Sequence, residues 1–119
     1  MKIIDDGAHG LIDCAFGVLL ILAPHLLGFA NGGPAHMIPV LLGNAAIALT
    51  LLTVHRYAAI GLVPLAAHLR ADLCGGAALA ASPWLFGFAD VAWWPHLLLG
   101  IATVTVALVT FPPPAVVRS

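Results

Sequence analysis

Glutamate is absent from this chain of 119 residues, and four Lys/Arg with five Asp supply all of its side-chain charge apart from any charge on its six histidines. Charged residues make up 8% of the sequence and apolar ones 62%. A soluble domain needs a polar surface that this inventory cannot cover, so lipid is the solvent the composition fits. Basic residues are equally scarce, and the net charge of −1 leaves no positive stripe for nucleic acid. Cysteine is limited to Cys14 and Cys74, both inside predicted helices, which excludes a secreted-type disulfide framework and leaves them read as small buried apolar residues. No Ser/His/Asp triad, no cysteine nucleophile beside a base and no glycine-rich phosphate loop is present, so no catalytic constellation is recognised.

What the sequence does have is a repeat. Residues 5–31 laid over 64–90, an offset of 59, give ten identities: Ala8/Ala67, His9/His68, Asp13/Asp72, Gly17/Gly76, Leu20/Leu79, Pro24/Pro83, Leu26/Leu85, Gly28/Gly87, Phe29/Phe88 and Ala30/Ala89. At an offset of 57, Leu41-Leu42-Gly43 matches Leu98-Leu99-Gly100, and Thr53 matches Thr110. The chain therefore reads as an internal duplication within a single transmembrane domain, 1–119. Repeat 1 covers 5–55, repeat 2 covers 64–111, and 112–119 forms a short tail.

Four stretches approach the roughly 20 apolar residues needed to cross a bilayer: 8–29, 37–55, 64–87 and 94–111. Asn31-Gly32-Gly33-Pro34 breaks the first pair, and Ala89-Asp90 with Pro95 breaks the second. The expected fold is an all-α membrane protein with four transmembrane helices. Because each repeat has two spans, its two hairpins run parallel about a pseudo-twofold axis along the membrane normal. The first stretch is half of that repeat, so it is read as a span and not as a removable signal. Lys2, Arg56 and Arg118 fall at the N-terminus, the central connection and the C-terminus, whereas the hairpin loops carry no Lys or Arg. The positive-inside rule then puts both termini and the tail in the cytoplasm.

The matched residues step by three or four. His9, Asp13, Gly17, Leu20, Pro24 and Gly28 lie along one helix face, as do His68, Asp72, Gly76, Leu79, Pro83 and Gly87. Such stripes are expected to face inward, towards each other across the axis. Small residues on the third helix, Gly75, Gly76 and Ala80 among them in the patterns Asp72-x3-Gly76-x3-Ala80 and Ala67-x3-Ala71-x3-Gly75, mark it as the central packing element together with Gly17 of the first. Pro24 and Pro83 should kink or end their helices. Trp84, Trp93 and Trp94 read as interfacial anchors at the outer boundary.

Ser82-Pro83-Trp84, near the end of the first helix of a two-helix repeat, resembles the SPW repeat family of small bacterial integral membrane proteins. In that family the motif lies in the first of two transmembrane helices per repeat, and here the resemblance covers almost the whole chain. Repeat 1 departs from it with Ala23-Pro24-His25, so only the proline is common to both copies. The resemblance implies the four-span architecture and a bacterial cytoplasmic membrane; it implies no established activity.

The residues that carry possible chemistry are His9, Asp13, His68, Arg70 and Asp72. His9 and Asp13 are four apart, as are His68 and Asp72, so each pair can meet on its own helix. An unpaired charge inside the bilayer is expensive, so each Asp needs a partner, and one Arg70 guanidinium is expected to be shared between them. Three readings remain open: a satisfied structural cluster, a proton or cation relay, and a bound cofactor or partner, including haem or a chlorin held by His9 and His68. No metal is assigned; His25, His36 and His96 fit no ligand template and read as interfacial histidines. The functional expectation is an accessory or scaffolding subunit that packs against a larger membrane complex or self-associates, with a small oligomeric transporter or channel as the alternative.

Overall fold

A computed structural model describes residues 6–53 and 61–110. They form four helices: α1 (Asp6–Leu26), α2 (Pro34–Leu52), α3 (Leu65–Leu85) and α4 (Trp94–Thr110). Among the described residues there is no strand, only an isolated bridge between Thr53 and Val63. Lys2, His55, Arg56, Arg118 and the tail 112–119, on which the reading of orientation relied, lie outside the described residues.

Local chemistry sets the helix ends. Gly28 and Gly87 have φ of +80° and +71°, a left-handed conformation that glycine adopts without steric cost. One residue further on, the Phe29 and Phe88 amides each donate back to a proline carbonyl, Pro24 and Pro83, at 2.8 Å. This is a Schellman-type closure. It ends α1 and α3 at Leu26 and Leu85, two or three residues before the expected limits. It also corrects the reading of Gly28 and Gly87, which are exposed turn residues and not part of an inward seam. At the start of α2, Pro34 has the fixed φ that suits a first helical residue, so the helix begins three residues earlier than expected.

Each proline inside a helix removes the amide that would bond to the carbonyl four residues back. Pro83 would have bonded to Leu79, and the Ser82 hydroxyl donates to the Leu79 carbonyl instead, at 2.7 Å. Pro39, in α2, would have bonded to Ala35. There His96 Nε2–H, arriving from α4, donates to the Ala35 carbonyl at 2.9 Å. The carbonyls freed by Pro39 and Pro83 are thus satisfied inside protein, as an apolar surround requires.

α1 packs along α2 and α3 along α4, and the hairpins meet through α2–α3 and α1–α4 contacts. Each hairpin closes on a pair of glycines. A Cβ on Gly43 would stand 2.5 Å from the Gly17 carbonyl oxygen, and one on Gly100 would stand 2.5 Å from that of Gly76. Gly17 and Gly76 therefore serve packing within their own hairpins, not across the axis as expected. Ala80 also packs there, since a Cβ on Gly100 would stand 2.7 Å from its Cβ. Gly75 is a correction: a Cβ there would meet only Leu42 Cδ2 at 3.9 Å, and Ala67 and Ala71 are exposed, so that pattern marks no close approach. Cys74 is exposed and Cys14 half-buried, so the second cysteine is no core residue; position 74 sits between Asp72 and Gly76 in sequence and so on the opposite side of the helix.

Two helices, Gly7–Leu26 and Pro34–Leu52, are each long and apolar enough to cross a membrane, and Trp94–Thr110 is a shorter apolar helix. α3 carries His68, Arg70 and Asp72 and does not reach the same threshold.

Candidate functional site: a buried His/Asp quartet

The inward stripe brings four ionisable side chains together. His9 and Asp13 on α1 and His68 and Asp72 on α3 are all buried, at 1, 3, 1 and 7% relative exposure. Each histidine contacts both carboxylates through Nε2. The shorter contacts run between the hairpins: His9 Nε2 to Asp72 Oδ2 at 2.9 Å and His68 Nε2 to Asp13 Oδ2 at 2.5 Å. The contacts within each helix, His9 to Asp13 and His68 to Asp72, are 3.2 Å. The i,i+4 neighbours expected from the sequence do meet, but the stronger bonds cross to the other helix. The two rings stand edge-to-face with centroids 5.3 Å apart.

The other ring nitrogens are held by threonines. Thr53 Oγ1 donates to the Leu49 carbonyl and lies 2.6 Å from His68 Nδ1. Thr110 Oγ1 donates to the Val106 carbonyl and lies 2.9 Å from His9 Nδ1. A hydroxyl has a single proton, so in both places it goes to the carbonyl and the oxygen accepts from Nδ1–H. This assignment leaves each of the two shorter Nε2–Oδ2 contacts to share one proton, residing on either nitrogen or oxygen. Two histidines, two aspartates and two shared protons make the quartet neutral as a whole, which suits an apolar interior. Thr53 and Thr110 had no assigned role in the sequence. Their signal was the repeat itself, since they are matched positions at the ends of the second helices.

Arg70 is not part of this cluster. It is exposed, and no ion pair joins it to either carboxylate among the described residues. The reason is helical geometry: residues two apart point about 200° away from each other at 3.6 residues per turn, so the guanidinium faces away from His68 and Asp72. The aspartates take their partners from the histidines instead. His9 and His68, the pair that could hold a haem or chlorin, stand edge to face with centroids 5.3 Å apart and direct both Nε2 atoms to carboxylates, which leaves no room for a macrocycle between the two rings.

A cavity of about 100 Å³ between the hairpins reaches the quartet. Asp13 and Asp72 line it together with Phe16, Leu42, Ala71 and Gly75. Gly75 stands where the first repeat has Phe16, so the missing side chain helps to keep this space open.

At the opposite end, His96 is buried at 1% exposure between Phe29 and Phe88, with ring centroids 5.1 and 4.8 Å away. This corrects its reading as an interfacial histidine. Its Nε2–H serves Ala35, and its Nδ1 has no partner among the described residues. His25 and His36 meet edge to face at 5.3 Å nearer the surface. Trp84, Trp93 and Trp94 are about half exposed at this same end.

An all-α protein of two helical hairpins, joined through a buried polar quartet, is the class these observations define. Residues 7–110 match the sequence model of the SPW repeat domain, and the chain belongs to that family. No curated protein and no solved structure matches it. Family membership and the two apolar helices mark it as a small membrane protein.

Proposed function

We propose that the chain is a four-span protein of the bacterial cytoplasmic membrane, with both termini cytoplasmic, that acts as an accessory or scaffolding subunit for a larger membrane complex. The four-span reading is supported by the way α3 disposes of its polar groups. His68 and Asp72 are consumed inside the bundle, and Arg70 lies close enough to the start of α3 to extend its guanidinium to the interface. Lys2, Arg56 and Arg118 support the orientation. The three exposed tryptophans support an outer interface at the hairpin-loop end.

One observation carries the accessory reading: the His/Asp quartet is turned inward and partnered, whereas many large apolar side chains face outward. Leu22, Leu41, Leu98 and Ile101 are 46, 61, 60 and 51% exposed. Such a surface meets lipid and other transmembrane helices, and association there depends on packing more than on chemistry. Purification from the native membrane in mild detergent tests it. A second chain recovered in fixed stoichiometry is the expected result; recovery of this chain alone would rule against a role in a larger complex.

A second reading, a proton or cation relay, is favoured by the cavity that reaches Asp13 and Asp72. It requires flux in liposomes containing the purified protein, lost in Asp13→Asn and Asp72→Asn variants that remain folded. Liposomes no more permeable than empty ones would dispose of it.

A further inference from the structure

His9 Nε2, His68 Nε2, Asp13 Oδ2 and Asp72 Oδ2 all lie within 4.8 Å of one another. We propose that these four atoms form a binding site for one divalent transition-metal ion of the zinc type. Ligands of a tetrahedral zinc stand about 2.0–2.2 Å from the metal, and therefore roughly 3.3 Å from each other. The four His–Asp separations, 2.5 to 3.2 Å, are already close to that edge length. Binding opens the shortest edge by less than about 1 Å and draws in the longer diagonals, movements within the range of side-chain rotation.

The geometry around the ligands carries the argument further than their number does. Metal-binding histidines characteristically donate their other ring N–H to a fixed acceptor, which sets the tautomer and aims the free lone pair. Here Thr53 and Thr110 do this for both rings, and each hydroxyl is itself anchored on a carbonyl one turn back. Both Nε2 lone pairs consequently point at the centre of the quartet. A site serving only as a hydrogen-bonded clasp would work with either nitrogen inward.

Charge is conserved on exchange. The protonated quartet holds two shared protons; one M²⁺ enters, two protons leave, and the site stays neutral with two neutral imidazoles and two carboxylates. The cavity lined by Asp13 and Asp72 gives an ion a route to the carboxylate side. Imidazole nitrogen combined with carboxylate oxygen suits zinc, cobalt and their first-row neighbours better than calcium or magnesium, which take oxygen ligands alone. The inference stands independently of the accessory reading, because it concerns what the interior holds and not what the outer surface meets.

The test uses the full chain in mild detergent, stripped with a chelator and titrated separately with Zn²⁺ and Co²⁺. One ion per chain is expected by elemental analysis after desalting, with a visible Co²⁺ spectrum of the intense tetrahedral type. The paired variant Thr53→Val/Thr110→Val keeps all four ligands. It should bind about 10- to 100-fold more weakly while its helical circular dichroism is unchanged. The paired variant Asp13→Asn/Asp72→Asn should retain no ion. A folded wild-type chain that holds no metal would overturn the proposal, as would undiminished binding in the Asn pair, which would place the ion elsewhere, such as at His25 and His36. Should the Asn pair not fold, the wild-type Co²⁺ spectrum and the Thr pair decide the matter. An octahedral-type spectrum, or Thr variants binding like wild type, would count against it.

Discussion

His68 Nε2 lies 2.5 Å from Asp13 Oδ2, although 55 residues separate them in the chain. With its counterpart, His9 to Asp72 at 2.9 Å, it forms a crosswise clasp between two hairpins that otherwise touch over limited surfaces. The polar groups that an apolar interior tolerates least are the ones that join the hairpins.

Breaking that clasp on one side should be costly. Asp13→Ala leaves His68 Nε2 without its closest partner in a buried site, and the loss is expected to be about 3–5 kcal/mol, as for other buried pairs broken singly. Denaturant titration in mild detergent measures it. A loss below about 1 kcal/mol would indicate that the pair contributes little to holding the hairpins.

Arg70 supplies the contrast. Its side chain points away from the quartet, so Arg70→Ala should change stability by no more than about 0.5 kcal/mol. The same titration compares it directly with Asp13→Ala. Equal effects would mean that the guanidinium does reach the carboxylates.

The glycines are expected to separate into two groups. Gly43→Ala and Gly100→Ala each place a methyl group 2.5 Å from backbone atoms of the partner helix, which cannot yield as a flexible side chain does. Each should destabilise by about 1–3 kcal/mol, the usual range for overpacking. Gly75→Ala meets open space, with its nearest contact at 3.9 Å, and should be neutral or slightly stabilising through helix propensity. Thermal unfolding of the three variants checks the order.

Ser82 and His96 each repair a carbonyl that a proline has freed. Ser82→Ala should cost about 1 kcal/mol, the typical worth of one hydrogen bond. For His96 the cause can be removed as well. Pro39→Ala restores an amide to the Ala35 carbonyl, so His96→Phe should be less damaging in that background than in the wild type. A double-mutant cycle measures the coupling. Additive effects would show that the His96–Ala35 bond is unrelated to the proline.

The helical class and the face of each first helix that turns inward are legible in the sequence. These are local properties. Steps of three and four residues place His9, Asp13, Gly17, Leu20 and Pro24 on one side of a helix whatever it packs against, and all five are buried. The same periodicity turns Arg70, two residues from both His68 and Asp72, away from the face they share. Packing between helices sets the rest: the shorter His–Asp bonds run between hairpins, Gly17 and Gly76 close on Gly43 and Gly100 within them, and Thr53 and Thr110 hold the far side of each imidazole. A periodic pattern fixes a direction around one helix axis and nothing beyond it. Which atom waits at the end of that direction depends on how helices from distant parts of the chain are set against each other.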